Sequence, residues 1–210
     1  AYISVSGVFG TQLKVLRKKM RDWVYCIRNS SLSGTDKLLA YNTFLLLQVL
    51  YATPCMMADP ISMQQIHRPA LEVSLNALKV NRNYPRVVAF SGPEYFGLDL
   101  NDFAASQGLA QLEMYVGHYC CQDQTGDLLL IEKDYVELII GKGVCPLEHP
   151  ASVAVDYVEK TWIVTLAEFL QRCGGRLVTN TKRVVKPQRD RDVYLMSFTD
   201  KLGKSERAAI

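Results

Sequence analysis

Histidine is the scarcest catalytic type in the 210-residue chain: His67, His118 and His149. A Ser-His-Asp or Cys-His arrangement would have to use one of these three. No Gly-x-Ser-x-Gly, Gly-x-x-x-x-Gly-Lys-Ser/Thr or Gly-x-Gly-x-x-Gly pattern occurs, so nucleophile-elbow, P-loop and dinucleotide-binding chemistry have no signature here. His118, Cys120, Cys145 and His149 are types that suit zinc, but the spacing is no recognised ligand pattern. The plainer reading is two buried cysteines and two surface histidines. Two-metal nucleotidyl transfer needs clustered carboxylates. Asp99 with Asp102, or Asp190 with Asp192, would supply a pair, yet Asp102 reads more simply as a helix cap. The sequence offers no convincing active site, and no metal or cofactor is expected.

Binding chemistry is better represented. Lys14, Arg17, Lys18, Arg21 and Arg28 recur along one side of an amphipathic segment. Five cations on one face can meet several phosphates with salt-sensitive affinity. A solvated helix face is the plain alternative. A second cluster, Lys182, Arg183, Lys186, Arg189 and Arg191, falls in a loop-like stretch. Arg82, Asn83 and Arg86, with Asn81, Tyr84 and Pro85, combine guanidinium, amide and aromatic groups. Such a set can contact a backbone and stack on a base; more often it is a loop tied by its own asparagine hydrogen bonds.

The elements that must hold these groups are mainly helical. A short strand is expected over residues 1–9. Leu13, Leu16, Met20, Trp23 and Ile27 form the apolar face of the first helix. Ser33 caps the next, which runs to about Ala52 before Pro54, is apolar nearly all round, and should be central. Asp59-Pro60 opens a third, kinked or restarted at Pro69 and reaching about Lys79. Residues 80–101 read as a structured connection with a short strand at Arg86 to Phe90. Asp102 caps a fourth helix with Phe103, Leu109, Leu112, Met114 and Val116 as core. A fifth opens at Thr125 or just before it and runs through Leu128, Leu129, Ile131, Tyr135, Leu138 and Ile139, ending at Gly141. A sixth, Trp162 to Arg172, stops at Gly174-Gly175. A strand at Arg176 to Val178 and a helix near Arg191 to Phe198 follow. The expected division is a helical bundle over 1–80, the connection 81–101, and a second helical subdomain with short strands over 102–210.

The composition, 49% hydrophobic and 21% charged, supports a sizeable core and excludes a disordered tail. The net charge of +3 excludes a polycationic tail. It is a cancellation: residues 1–70 carry 8 basic and 3 acidic side chains, 71–150 carry 5 and 11, and 151–210 carry 11 and 7. Six cysteines without a dense framework point to free thiols in a reducing, intracellular compartment. Leu38 to Ala58 lacks charge, but Asn42, Thr43, Gln48 and Pro54 favour a buried core helix, and no membrane span is expected.

The order of these pieces resembles the region after the palm in reverse transcriptases of non-LTR retrotransposons. The matching text is Leu13 to Trp23, Ala40-Tyr41-Asn42 to Tyr51, Gln64 to Lys79, and Asn81 to Arg86. It continues through Gly92-Pro93-Glu94-Tyr95, Gly97-Leu98, Gln107-Gly108, Gly117-His118, Thr125-Gly126, and Trp162 to Gly175. The serial order over about residues 5 to 197 carries the likeness. Where the family usually has Gly-Gly-Leu-Gly-Leu, this chain has Phe96-Gly97-Leu98-Asp99-Leu100, so two of the glycines that permit a close backbone approach are replaced.

The resemblance implies a thumb and helical extension that hold a template–primer duplex by its backbone. Lys14, Arg17, Lys18, Arg21, Arg28, Arg82, Asn83 and Arg86 would be the contacting groups, and RNA or an RNA–DNA duplex the partner. The palm and its Tyr-x-Asp-Asp carboxylates are missing, so the chain by itself is not expected to be an enzyme. A nuclear location follows if the resemblance holds. A second reading is a retrotransposon-derived scaffold subunit of a larger protein or ribonucleoprotein assembly, with other protein subunits as partners.

Overall fold

The computed structural model describes residues 9–151 and 157–178. The chain divides into two compact units, residues 1–110 and 111–210. Among the described residues every regular element is helical. The fold is therefore mainly α, as the periodicity predicts.

In the first unit, α1 (Gly10–Arg28) buries Leu16, Met20, Trp23, Val24 and Ile27, close to the expected stripe. It packs on α4 (Pro60–Ala77). Ser33 caps α2 (Gly34–Ala40) by accepting the Asp36 N–H at 3.2 Å. The helix continues through a π-helical turn, Tyr41–Leu45, into α3 (Leu46–Leu50), and a 3-10 turn follows at Thr53–Cys55. In the widened turn the Leu46 N–H reaches the Tyr41 carbonyl, five residues back.

This continuous run is not the all-round buried helix that its composition predicts. Tyr41, Leu45, Leu46, Val49 and Ala52 face the core, while Leu39, Phe44, Leu47 and Tyr51 lie exposed. Gly34–Cys55 is long and apolar enough to cross a bilayer by length and composition, and about a third of its most apolar window is buried in the fold. An apolar sequence cannot say which of its faces the fold will cover.

Asp59 accepts the Ser62 N–H at 2.8 Å and starts α4, with Pro60 at its first position. The helix runs through Pro69 to Ala77 without a restart. Pro69 has no N–H to offer the Gln65 carbonyl, one turn back. Residues 86–90, expected as a strand on their valines, form instead the short helix α5 (Arg86–Phe90). Pro85 pre-sets its start, the Ala89 N–H reaches the Pro85 carbonyl at 3.0 Å, and Ala89 is buried while Val87 is turned out. Residues 98–100 run back along α5 through backbone bonds from Leu98, Asp99 and Leu100 to Val88, Ser91 and Ala89.

Asp102 caps α6 (Phe103–Cys121) through the Ala104 N–H at 3.0 Å, as expected. Within the first unit its buried side is Phe103, Ala104 and Gln107, and Leu109 is exposed rather than core. The Gln107 amide donates to the Met56 and Ala58 carbonyls at 3.0 and 3.3 Å. A glutamine holding a loop gives no hydrophobic signal in the sequence.

In the second unit, Asp123 caps α7 (Gln124–Ile140), accepting the Gly126 N–H at 2.8 Å, and Gly141 ends it at φ 65°. A side chain at Gly126 would run into the His118 carbonyl, so glycine permits the close approach of α7 to the end of α6. The apolar residues of α7 divide between core and surface. Leu129, Val136 and Ile140 are buried with Lys133 and Glu137, while Leu128, Ile131, Tyr135 and Leu138 are exposed. Val116, expected as core on α6, is exposed too; the buried residue there is Tyr115.

Thr161 caps α8 (Trp162–Cys173), and Gly174 stops it at φ 64°. Eight of its residues, Trp162 to Ala167 with Phe169 and Leu170, lie in the core, and it packs against α7. The Glu132 carboxylate accepts the Ile163 N–H at 3.1 Å, placing negative charge at the start of α8. Arg176 to Val178 forms no strand; the Leu177 N–H makes a single backbone bond to the Leu147 carbonyl at 2.8 Å. The expected strand at 1–9 lies outside the described residues but for Phe9, and so does the helix near 191–198.

Candidate nucleic-acid interface

All five cations of α1 are exposed: Lys14, Arg17, Lys18, Arg21 and Arg28. Their helical spacing brings the first four to one face. None makes an ion pair among the described residues. Lys14, Arg17 and Arg21 line one wall of a groove of about 270 Å³, and Gln65, Ile66 and Pro69 of α4 form the other. The groove lies where α1 and α4 pack through their apolar residues and leave polar side chains of both at its rim.

Arg82 and Asn83 sit exposed on the turn between α4 and α5. The Asn81 side-chain oxygen accepts the Asn83 N–H at 2.9 Å, and the Asn81 carbonyl accepts the Tyr84 N–H at 2.9 Å. Asn81 therefore builds the turn, which leaves the Arg82 and Asn83 side chains outward.

Arg86 differs. It is half-buried, and its Nη2 donates to the Arg82 carbonyl at 3.2 Å. Its Nη1 is buried without a hydrogen-bond partner. That guanidinium borders a recess of about 370 Å³, together with Gln64, Gln65, Arg68 and Asp102. Ile61, Leu71 and Phe90 supply apolar wall, and His67 lies beneath. Gln65 belongs to both the recess and the α1–α4 groove.

His67 is part of the floor. Its ring stacks on Phe103 at 4.0 Å between centroids, and its Nε2 lies 2.8 Å from the Tyr41 hydroxyl. Burial, then the nearby Arg86 charge, lower its pKa to about 3, so it is neutral at pH 7. Burial, then the Asp102 charge, push the Tyr41 phenol upward.

The other candidates separate. His118 Nδ1 meets the Asp123 carboxylate at 2.7 Å. Cys120 is exposed and Cys145 buried. No group of three or more His, Cys, Asp or Glu side chains gathers as a metal site among the described residues. Asp99 lies on the return segment at φ 52°, and Asp102 is spent partly on its cap. Asp190, Asp192 and the Lys182 to Arg191 cluster lie outside the described residues.

Three polar groups of this surface, Gln64, Gln65 and Arg68, escaped the sequence reading. Their signal was present: they occupy the solvent side of a helix whose other side is Met63, Ile66 and Ala70. What the sequence does not carry is that this side lies beside the cations of α1. No protein-family model, no curated protein and no solved structure matches the chain.

Proposed function

We propose that the chain is a non-catalytic nucleic-acid-binding region of the non-LTR reverse transcriptase kind, a thumb and helical extension that grips a template–primer duplex by its backbone. The observation that carries this reading is the row Lys14, Arg17, Lys18 and Arg21, exposed, without ion pairs among the described residues, and bordering the α1–α4 groove. Cations left without protein partners keep their charge for phosphates. Arg82 and Asn83, turned outward by the Asn81 turn, add two further contacts.

A second observation supports the likeness to that family. Phe96 and Asp99 stand where the family usually has glycine, and both adopt left-handed backbone, at φ 59° and 52°. Glycine is the residue that such a conformation favours. Gly97, between them, is where the family pattern and this chain agree, and a side chain there would collide with the Ser91 carbonyl.

The scaffold reading draws on different groups. Leu39, Phe44, Leu47 and Tyr51, and separately Leu128, Ile131, Tyr135 and Leu138, leave apolar rows uncovered within their units. The deciding experiment is binding of an RNA–DNA duplex across a salt series, with Lys14, Arg17, Lys18 and Arg21 changed together to Gln. Loss of affinity and a shallower salt slope support the thumb reading. An unchanged slope, or no duplex binding at low salt, favours the scaffold.

A further inference from the structure

We propose that the recess beside Arg86 takes one unpaired nucleotide, at the end of a strand whose backbone lies along α1. This rests on the nucleic-acid reading and names what the surface recognises beyond phosphate.

The size selects the ligand class. At about 370 Å³ the recess is at the small end of ligand pockets, which run from about 300 to 1,000 Å³. It has room for one nucleotide and none for a stacked base pair. The chemistry of the walls is mixed. Arg86 lines the recess with a guanidinium only partly used: its Nη2 donates to the Arg82 carbonyl, and its Nη1 has no hydrogen-bond partner among the described residues. Arg68 brings a second guanidinium, tied to Glu72 at 3.2 Å on its exposed side.

Asp102 argues against a bare anion. Its Oδ1 takes the Ala104 N–H, and its charge faces the same space, where it repels a second negative group. A nucleotide resolves the conflict. Its phosphate accepts from Arg86, and a base N–H donates to Asp102. Gln64 and Gln65 offer amides that both donate and accept. Phe90, Leu71 and Ile61 supply the apolar flank that a base plane needs. The shared wall at Gln65 connects this recess to the cationic groove, so a strand held along α1 delivers its end here. A paired base has its edge occupied, which is why the occupant is unpaired.

The test uses the full chain and three small probes at fixed ionic strength: guanosine 5′-monophosphate, guanosine and inorganic phosphate, titrated by NMR. The nucleotide should bind at least about tenfold more tightly than either fragment, because it satisfies both Arg86 and Asp102. Arg86→Gln should remove that advantage, and Asp102→Asn, which keeps a capping residue, should change the preference among the four nucleoside monophosphates. Lys19→Gln, exposed on α1 but off its cationic face, should leave mononucleotide binding unchanged. A duplex with a one-nucleotide overhang should bind more tightly than a blunt one, and only when Arg86 is present.

Phosphate binding as tightly as the nucleotide, or a nucleotide affinity indifferent to Arg86→Gln, overturns the proposal. Should Arg86→Gln unfold the first unit by circular dichroism, the exposed pair Gln64→Ala and Arg68→Ala takes its place, with the same two outcomes. Mononucleotide binding without duplex binding would remove the thumb reading and leave the recess. Duplex binding with neither overhang preference nor mononucleotide binding would remove the recess and leave the thumb.

Discussion

The Tyr41 hydroxyl and His67 Nε2 lie 2.8 Å apart inside the first unit, joining the π-helical turn of one helix to the middle of another. The hydroxyl also faces the Asn101 carbonyl at 3.4 Å. A chain from Nε2–H to the hydroxyl and from the hydroxyl to that carbonyl satisfies all three groups.

Acid should therefore destabilise the first unit through His67. Its folded pKa is lowered to about 3, mainly by burial, against an unfolded value of 6.5. Below the unfolded value the unfolded chain takes a proton that the native state refuses. The stabilisation is complete above about pH 6.5 and falls by about 1.4 kcal/mol per pH unit as the pH drops toward 3. Urea unfolding at pH 7, 6, 5 and 4 measures this slope. His67→Gln, which keeps a hydrogen-bonding group near Tyr41, should flatten it; equal slopes in both proteins would refute the assignment.

The left-handed pair at Phe96 and Asp99 predicts opposite signs for neighbouring substitutions. Phe96 is 91% exposed and gains little from packing. Phe96→Gly relieves a backbone cost of about 1 kcal/mol and returns part of it as unfolded-state entropy, a net gain of roughly 0.5 kcal/mol. Gly97→Ala should instead be strongly destabilising, because its methyl group meets the Ser91 carbonyl. Thermal unfolding of the two variants decides: a Phe96→Gly protein that melts earlier contradicts the strain argument.

Duplex binding should depend on salt through α1. Each cation that meets a phosphate contributes about 0.9 to the slope of log K against log salt on duplex nucleic acid. Neutralising Lys14, Arg17, Lys18 and Arg21 together should thus lower the slope by up to about 3 to 4. Lys19→Gln, on the same helix but off the face, is the control. Fluorescence anisotropy from 50 to 300 mM salt reads both.

The second unit carries a buried ionic group. Lys133 lies 2.8 Å from Asp134 and 3.8 Å from Glu137, with the Lys133 and Glu137 side chains almost wholly buried. Burial opposes the Lys133 charge, but the Asp134 hydrogen bond and the surrounding acidic groups prevail and raise its pKa. Burial raises that of Glu137. Lys133→Met strands the Glu137 carboxylate and should cost about 3–5 kcal/mol at pH 7. Part of the loss should return as the pH is lowered, because burial raises the pH at which Glu137 takes up a proton. Adding Glu137→Leu should restore most of the stability by chemical denaturation; a double variant as unstable as the single would show that the charge is not the cause.

How far the sequence reaches differs from element to element. Helix ends were legible because their signals are local: Ser33, Asp59, Asp102 and Gly174 act on backbone groups within four residues. The buried stripe of α1 was legible because its cations leave only one face for the core. The faces of 34–50 and α7 were not, because both are apolar on several sides, and which side is covered depends on partners distant in the chain. Residues 86–90 were misread as a strand because valine propensity is weak against the helical bonds that Pro85 and the returning segment 98–100 make possible.

The site divides in the same way. Residue types and helical spacing alone identified the cationic row Lys14 to Arg21. Only the packing of α1 on α4 set Gln65 and Pro69 across from that row, and only the fold of 81–102 turned Arg86 inward beside Asp102. Charge along a helix is a property of local sequence. A recess is made by segments that meet after folding, and no local pattern encodes that meeting.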